Sequence, residues 1–267
     1  MEIELTPMIK YCAYKDLRMR IPHSQYTVML WGKEVFLDMH TIRALGEVMD
    51  LDISLRIILS RIRENLIKYE DDSWVGVKFH DLKLDMMTLF LFIPICIENL
   101  TVIARGFIPD EERRGLKRSF NSFSEWVKKN LTPKDPLADF LCLNGDRLKR
   151  LKQVRNDICH RVRRPDQESF PDFLTVMRAG GGKSKIMGYT DIRSAVAVFT
   201  RILLCYSCLI EDLNFINLKK RFPDEYINPP GSTLMVSDQF KEKDPYLYFL
   251  PELTTDEDGF VCFNPDG

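Results

Sequence analysis

The chain lacks excess charge of either sign and repeated or low-complexity tracts. A net charge of −1 over 267 residues means that the molecule as a whole is no polyelectrolyte. The most hydrophobic stretch, Met86 to Ile97, is short and runs into Glu98 and Asn99, so no membrane partner is expected. The opening M-E-I-E-L-T-P has neither the basic nor the apolar region of a signal peptide. Seven scattered cysteines, several inside apolar runs (Cys96, Cys142, Cys205), read as buried thiols in a reducing compartment. A disulfide framework and a zinc site are therefore not expected, and the localisation expected is cytoplasmic.

What the chain does have is charge sorted along its length. Between Asp146 and Arg164 stand Arg147, Lys149, Arg150, Lys152, Arg155, Arg161, Arg163 and Arg164 against Asp146 and Asp157. After Phe222 the acids dominate, from Asp224 and Glu225 to Asp256, Glu257, Asp258 and Asp266, with Lys241 and Lys243 the lysines among them. Such asymmetry reads as a polyanion-binding surface followed by an acidic tail. The charges alone also fit an ordinary solvated helix face. If the tail folded over the basic helix, it would compete with a polyanion.

Periodicity predicts a mainly α fold in three parts. Residues 1–80 read as an N-terminal α+β region of unknown role, with strands at 26–30 and 34–37 and a helix on which Ile53, Ile57, Ile58 and Ile62 keep 3.6 spacing. Residues 81–221 read as a helical bundle. Its first helix is capped by Asp81 or Asp85, is kinked at Pro94 and ends at Gly106. An amphipathic helix from Asp110 to Asn130 follows, with Leu116, Phe120, Phe123, Trp126 and Val127 facing inward. A short segment, 136–143, then meets a turn at Asn144-Gly145. A β-hairpin near 173–189 is expected around Gly180-Gly181-Gly182, and a closing helix runs from Thr190 or Asp191 to Arg221 on Ile192, Val196, Phe199, Leu203, Tyr206 and Ile210. Residues 222–267 read as the acidic tail, in which Tyr246 to Leu250 docks as a strand or clamp. Gly182-Lys183-Ser184 is no P-loop, because Met177 stands where the first glycine is required.

The helix predicted over Asp146–Pro165 organises the bundle. Leu148, Leu151, Val154, Ile158 and Val162 form one arc, while Lys152, Asn156 and His160 make an i, i+4 row beside it. Arg155 lies on the border, about 7.5 Å along the axis from His160, within reach of the same pocket. The spacing R-x-x-x-x-H recurs from Arg18 to His23, but that copy contains Pro22 and cannot lie on a regular helix.

Arg155-Asn156-Asp157-Ile158-Cys159-His160, set on a basic helix late in a bundle, resembles the motif of the HEPN superfamily. The likeness covers about residues 81–221. It implies a metal-independent endoribonuclease, cofactor-free, with RNA as substrate and a homodimer that composes its active site from two copies of the motif helix. The family roles fall on Arg155, Asn156 and His160, with Glu98 as an orienting acid on an earlier helix. Lys152, Arg161, Arg163 and Arg164 are the expected RNA contacts. A toxin or antiviral effector with an antitoxin or activating partner is the biological setting the family implies. Val162 stands where some members carry a modified Tyr, so that mode of control is not expected here. Chemistry fits these roles, since imidazole moves protons near neutral pH and guanidinium matches phosphate oxygens. Two other readings remain open on the residues: a non-catalytic helical module binding RNA or nucleotide, and a structural or interaction protein whose Arg155 and His160 only bridge helices.

Overall fold

A computed structural model describes residues 37–68, 77–160, 192–221, 245–249, 253–255 and 261–263. The described chain is mainly helical: α1 (Met39–Lys68), α2 (Val77–Phe107), the single turn α3 (Asp110–Arg113), α4 (Phe120–Asn130), α5 (Pro136–His160), α6 (Ile192–Arg221) and the turn α7 (Pro245–Tyr248). Two three-residue strands, β1 (Leu253–Thr255) and β2 (Val261–Phe263), pair antiparallel with Thr254 opposite Cys262. The strands expected at 26–30 and 34–37 and the hairpin near 173–189 lie outside the described residues, apart from Leu37, which is not in a strand.

α1 and α2 form an antiparallel pair whose register three contacts fix. Thr41 packs against Gly106, Asn99 Nδ2 donates to Glu47 Oε2 at 2.9 Å, and Arg61 bridges Asp85 at 3.1 Å. α2 runs one residue past Gly106, to Phe107, and a Cβ at Gly106 would sit 2.2 Å from Thr41 Oγ1, a close approach that only glycine permits. Asp85 is no cap. It is buried mid-helix, and burial raises its carboxyl above the usual range against the pull of Arg61. The helix continues through Pro94. From His80 to Phe107 it is long and apolar enough to cross a bilayer, a length the sequence reading underestimated. Its apolar side chains Met86, Leu89, Phe90, Ile93, Leu100 and Ile103 are buried by the other helices, as a central bundle helix requires.

Tyr206 of α6 marks where the bundle closes. Its hydroxyl shares a 2.7 Å hydrogen bond with Thr101 of α2, and its ring meets Phe120 of α4 edge-on and Phe140 of α5 face-on. Burial pushes its phenol far above the ordinary value. The expected inner face of α6 is buried throughout, from Ile192 to Ile210. The helix expected over 110–130 is instead broken: α3 ends, Gly115 turns at φ 79°, and Ser119 restarts the chain by accepting from Ser122 N. Its predicted apolar face survives the break, with Leu116, Phe120, Phe123 and Val127 buried.

One hydrophobic core takes in side chains from Leu37 to Phe249, so among the described residues the core does not divide at residue 80. On α1 the buried stripe is Leu55, Ile58, Leu59, Ile62 and Leu66, with Asp52 and Arg56 beside it; of the expected isoleucines Ile58 and Ile62 are buried and Ile53 and Ile57 are exposed. The polar pair faces inward to receive the tail. Tyr246 donates to Asp52 at 2.8 Å, Arg56 Nε bonds the other Asp52 oxygen at 3.0 Å, and the Arg56 guanidinium lies 4.7 Å from the Tyr246 ring centroid. Arg63 covers Tyr248 in the same way. The Tyr246 segment therefore docks as a helical turn on α1, neither as a strand nor over the basic helix.

Candidate functional site

α5 starts with Pro136 at its first position, where the missing N–H costs nothing, and with the Asp135 carboxylate accepting from Leu137 N at 2.9 Å. It then runs unbroken through Asn144-Gly145. The expected turn is absent because Asn144 is buried and turns its amide back onto Phe140 O at 3.1 Å, satisfying itself within the helix. Leu137, Phe140, Leu141, Leu148 and Leu151 weld this part into the core.

Further along, exposure rises. Arg155 and Asn156 are half-buried, Ile158 still packs against the core, and Cys159 is exposed. His160 is the last residue of the helix; its side chain, those of Val154 and Asp157, and all of Arg161, Arg163 and Arg164 lie outside the described set. The backbone thus puts Arg155, Asn156 and His160 in the last two turns at the C-terminal end of a bundle helix. Among the described residues, Arg155 has no hydrogen-bond or ion-pair partner, and no three His, Cys, Asp or Glu side chains gather as metal ligands.

Glu98 does come to this helix, but to a different residue than expected. One oxygen accepts from Lys152 Nζ at 3.1 Å and the other from Phe120 N at 3.0 Å. A single carboxylate on α2 thereby ties the first turn of α4 to α5 one turn before Arg155. Lys152, expected among the RNA contacts, instead spends its charge on this bridge. Sequence reasoning could not find the pairing, since the partners lie 54 residues apart on separate helices.

Two other features lie away from the motif. A cavity of about 310 Å³ opens at the opposite end of α5, lined by Asp135, Leu137, Leu209, Asp212, Leu213 and Ile216. Cys205 and Cys208 stand in C-x-x-C spacing, which the reading of the cysteines as scattered passed over. They are not joined in a disulfide; one is buried and one half-buried, in mid-α6, far from the helix N-terminus that would activate a thiol. No family model, curated protein or solved structure matches this chain.

Proposed function

We propose that the chain is a HEPN-type endoribonuclease that cleaves RNA through its own 2′-OH without a metal, acting as a toxin or antiviral effector in the cytoplasm. The observation that carries this reading is the placement of Arg155, Asn156 and His160 together in the last turns of one continuous helix of a helical bundle, with Arg155 and Asn156 half-buried. In the reaction the 2′-oxygen attacks the adjacent phosphorus as His160 takes its proton. The bond to the 5′-oxygen breaks, that oxygen gains a proton, and a 2′,3′-cyclic phosphate remains. Arg155 lies where its guanidinium fork can neutralise charge building on the phosphate oxygens, and Asn156 orients the phosphate or the imidazole through its amide. One helix offers one imidazole, so the acid for the leaving oxygen comes from a second copy of the motif helix in a two-fold homodimer. The Glu98–Lys152 bridge holds the helix beside this machinery in place of the direct Glu98–Arg155 contact that the family likeness implies.

The test is cleavage of a mixed RNA pool in EDTA by wild type, His160→Ala and Arg155→Ala, with equal folding verified by circular dichroism. Wild type should cut, and each variant should lose at least about 100-fold in rate, the usual contribution of a general acid–base group. Equal cleavage by all three would place the activity elsewhere. Salt-sensitive RNA binding with no cleavage by any would favour the non-catalytic module.

A further inference from the structure

Beyond the motif helix, the described surface gathers charge at one more place. Where α2 ends, the turn after α3 folds its backbone around Arg105: Arg105 Nε donates to Leu116 O at 2.9 Å, and Leu116 N donates to Arg113 O at 3.0 Å. Gly115, at φ 79°, is what lets the chain make that turn. The result brings Arg105, Arg113 and Arg118 into one another's field, with Lys117 exposed beside them. The Asp38 carboxylate lies among them, and Arg113 reaches it at 4.0 Å. That carboxylate is already occupied in capping α1 through Thr41 N and Thr41 Oγ1 at 2.8 and 3.1 Å. Of the acids on α3, Asp110 pairs with Arg113 and Glu112 with Lys220, leaving Glu111 on the exposed side. No described carboxylate lies within ion-pair distance of Lys117 or Arg118.

Holding like charges together costs energy unless an anion completes the set. Here Asp110 and Asp38 offset part of the charge at Arg113, Asp38 part of that at Arg105, and the Leu116 carbonyl fixes the Arg105 guanidinium, while Lys117 and Arg118 have no described carboxylate within ion-pair distance. Burial, and then the repulsion of Arg113 and Arg118, draws the Arg105 guanidinium below its ordinary value. We infer that Arg105, Arg113, Lys117 and Arg118 form a second phosphate-binding subsite, which holds the backbone of the RNA strand away from the cutting point. The inference rests on the RNA reading given above.

Position supports the continuity of the two sites. Glu98 and Arg105 are seven residues apart on α2, hence on one face and about 10.5 Å apart along the axis. Glu98 bonds Lys152, and Arg155 follows one turn later on α5. The strand therefore crosses roughly 15 Å of surface between the motif and the arginine cluster, passing the first turn of α4. Single-stranded RNA is the fitting occupant, because a flexible backbone can follow such a path without base-specific contacts.

The experiment uses the full chain carrying His160→Ala, so that bound RNA stays whole, and follows fluorescence anisotropy of a labelled 20-nucleotide single strand in EDTA across a salt series. Lys117→Glu/Arg118→Glu should weaken binding at least 10-fold and flatten the slope of log K against log salt by about 0.7 for each phosphate no longer neutralised. The neutral Arg118→Gln should weaken it about threefold, in line with one phosphate fewer neutralised. Lys129→Glu/Lys134→Glu, an equal charge change on exposed lysines elsewhere, should shift affinity less than twofold. Equal weakening by both double variants, or by neither, overturns the subsite while leaving the nuclease reading intact. A parent chain that binds no RNA overturns the subsite and the RNA reading together. Binding as described, with no cleavage by wild type, sustains the subsite and removes only the nuclease.

Discussion

The two ends of α5 use the same helix for opposite purposes. Between Leu137 and Leu151 the side chains of Leu137, Phe140, Leu141, Leu148 and Leu151 are almost fully buried, Leu143 alone of the leucines being exposed, and the lone amide, Asn144, bonds back within the helix. From Lys152 onward the described side chains, Lys152, Arg155, Asn156, Ile158 and Cys159, are half-buried or exposed, and Lys152, Arg155 and Asn156 among them carry charge or an amide. On the proposed reading this is a rigid shaft with a reactive tip, and the packed part would fix the angle at which the unpacked part meets RNA. Stability should thus reside at one end and activity at the other, and substitutions at the two ends should separate them.

The largest effect on folding is expected from the shaft. Leu151→Ala removes a side chain that is 1% exposed, and such truncations cost about 2–5 kcal/mol through reduced burial and the cavity left behind. Urea unfolding should show a lower midpoint at unchanged slope. Arg155→Ala, one turn on, should leave the midpoint within the range of ordinary surface substitutions, about 0.5 kcal/mol. If Arg155→Ala destabilises as much as Leu151→Ala, the tip is structural and the reading of Arg155 and His160 as helix bridges gains.

A smaller and opposite effect tests whether the shaft is truly continuous. Glycine inside a helix costs about 0.8–1 kcal/mol relative to alanine, and a Cβ built at Gly145 meets nothing within 4 Å. Gly145→Ala should therefore raise the unfolding free energy by about 0.5–1 kcal/mol. A turn at Asn144-Gly145 would give the reverse, because the left-handed backbone it needs resists a side chain.

That turn shows where sequence stopped being enough. Elements whose character comes from their own periodicity were legible: the buried face of α6 from Ile192 to Ile210, the inward side of α4, and Leu148 and Leu151 on α5. Elements settled by distant partners were not. Asn144-Gly145 has the local signature of a turn, yet burial by the bundle makes it helix. Ile53 and Ile57 look like a core stripe, yet Asp52 and Arg56 face inward because Tyr246, 194 residues after Asp52, arrives to bond them. Within the tail, the aromatic side chains Tyr246 and Tyr248 decide where their own segment docks, on Asp52, Arg56 and Arg63 of α1. At the candidate site, the helix that carries Arg155 and Asn156 was readable, but the destination of Glu98 was not, since nothing local links it to Lys152.

The smallest effect concerns the joint between shaft and tip. Glu98→Gln keeps an oxygen that can accept from Phe120 N and removes the charge that holds Lys152. Both side chains of that pair are partly exposed, about a third or less, so the ion pair contributes no more than about 1 kcal/mol. Its consequence for RNA is expected to exceed its consequence for folding. Freed from Glu98, Lys152 becomes an additional cation beside Arg155, so RNA affinity should stay level or rise while the cleavage rate falls as the tip loses its fixed angle. A drop in cleavage without a drop in binding would assign Glu98 and Lys152 to positioning. An equal drop in both would mean that Lys152, even while bridged, had been touching the strand, and the division of α5 into shaft and tip would have to move one turn earlier.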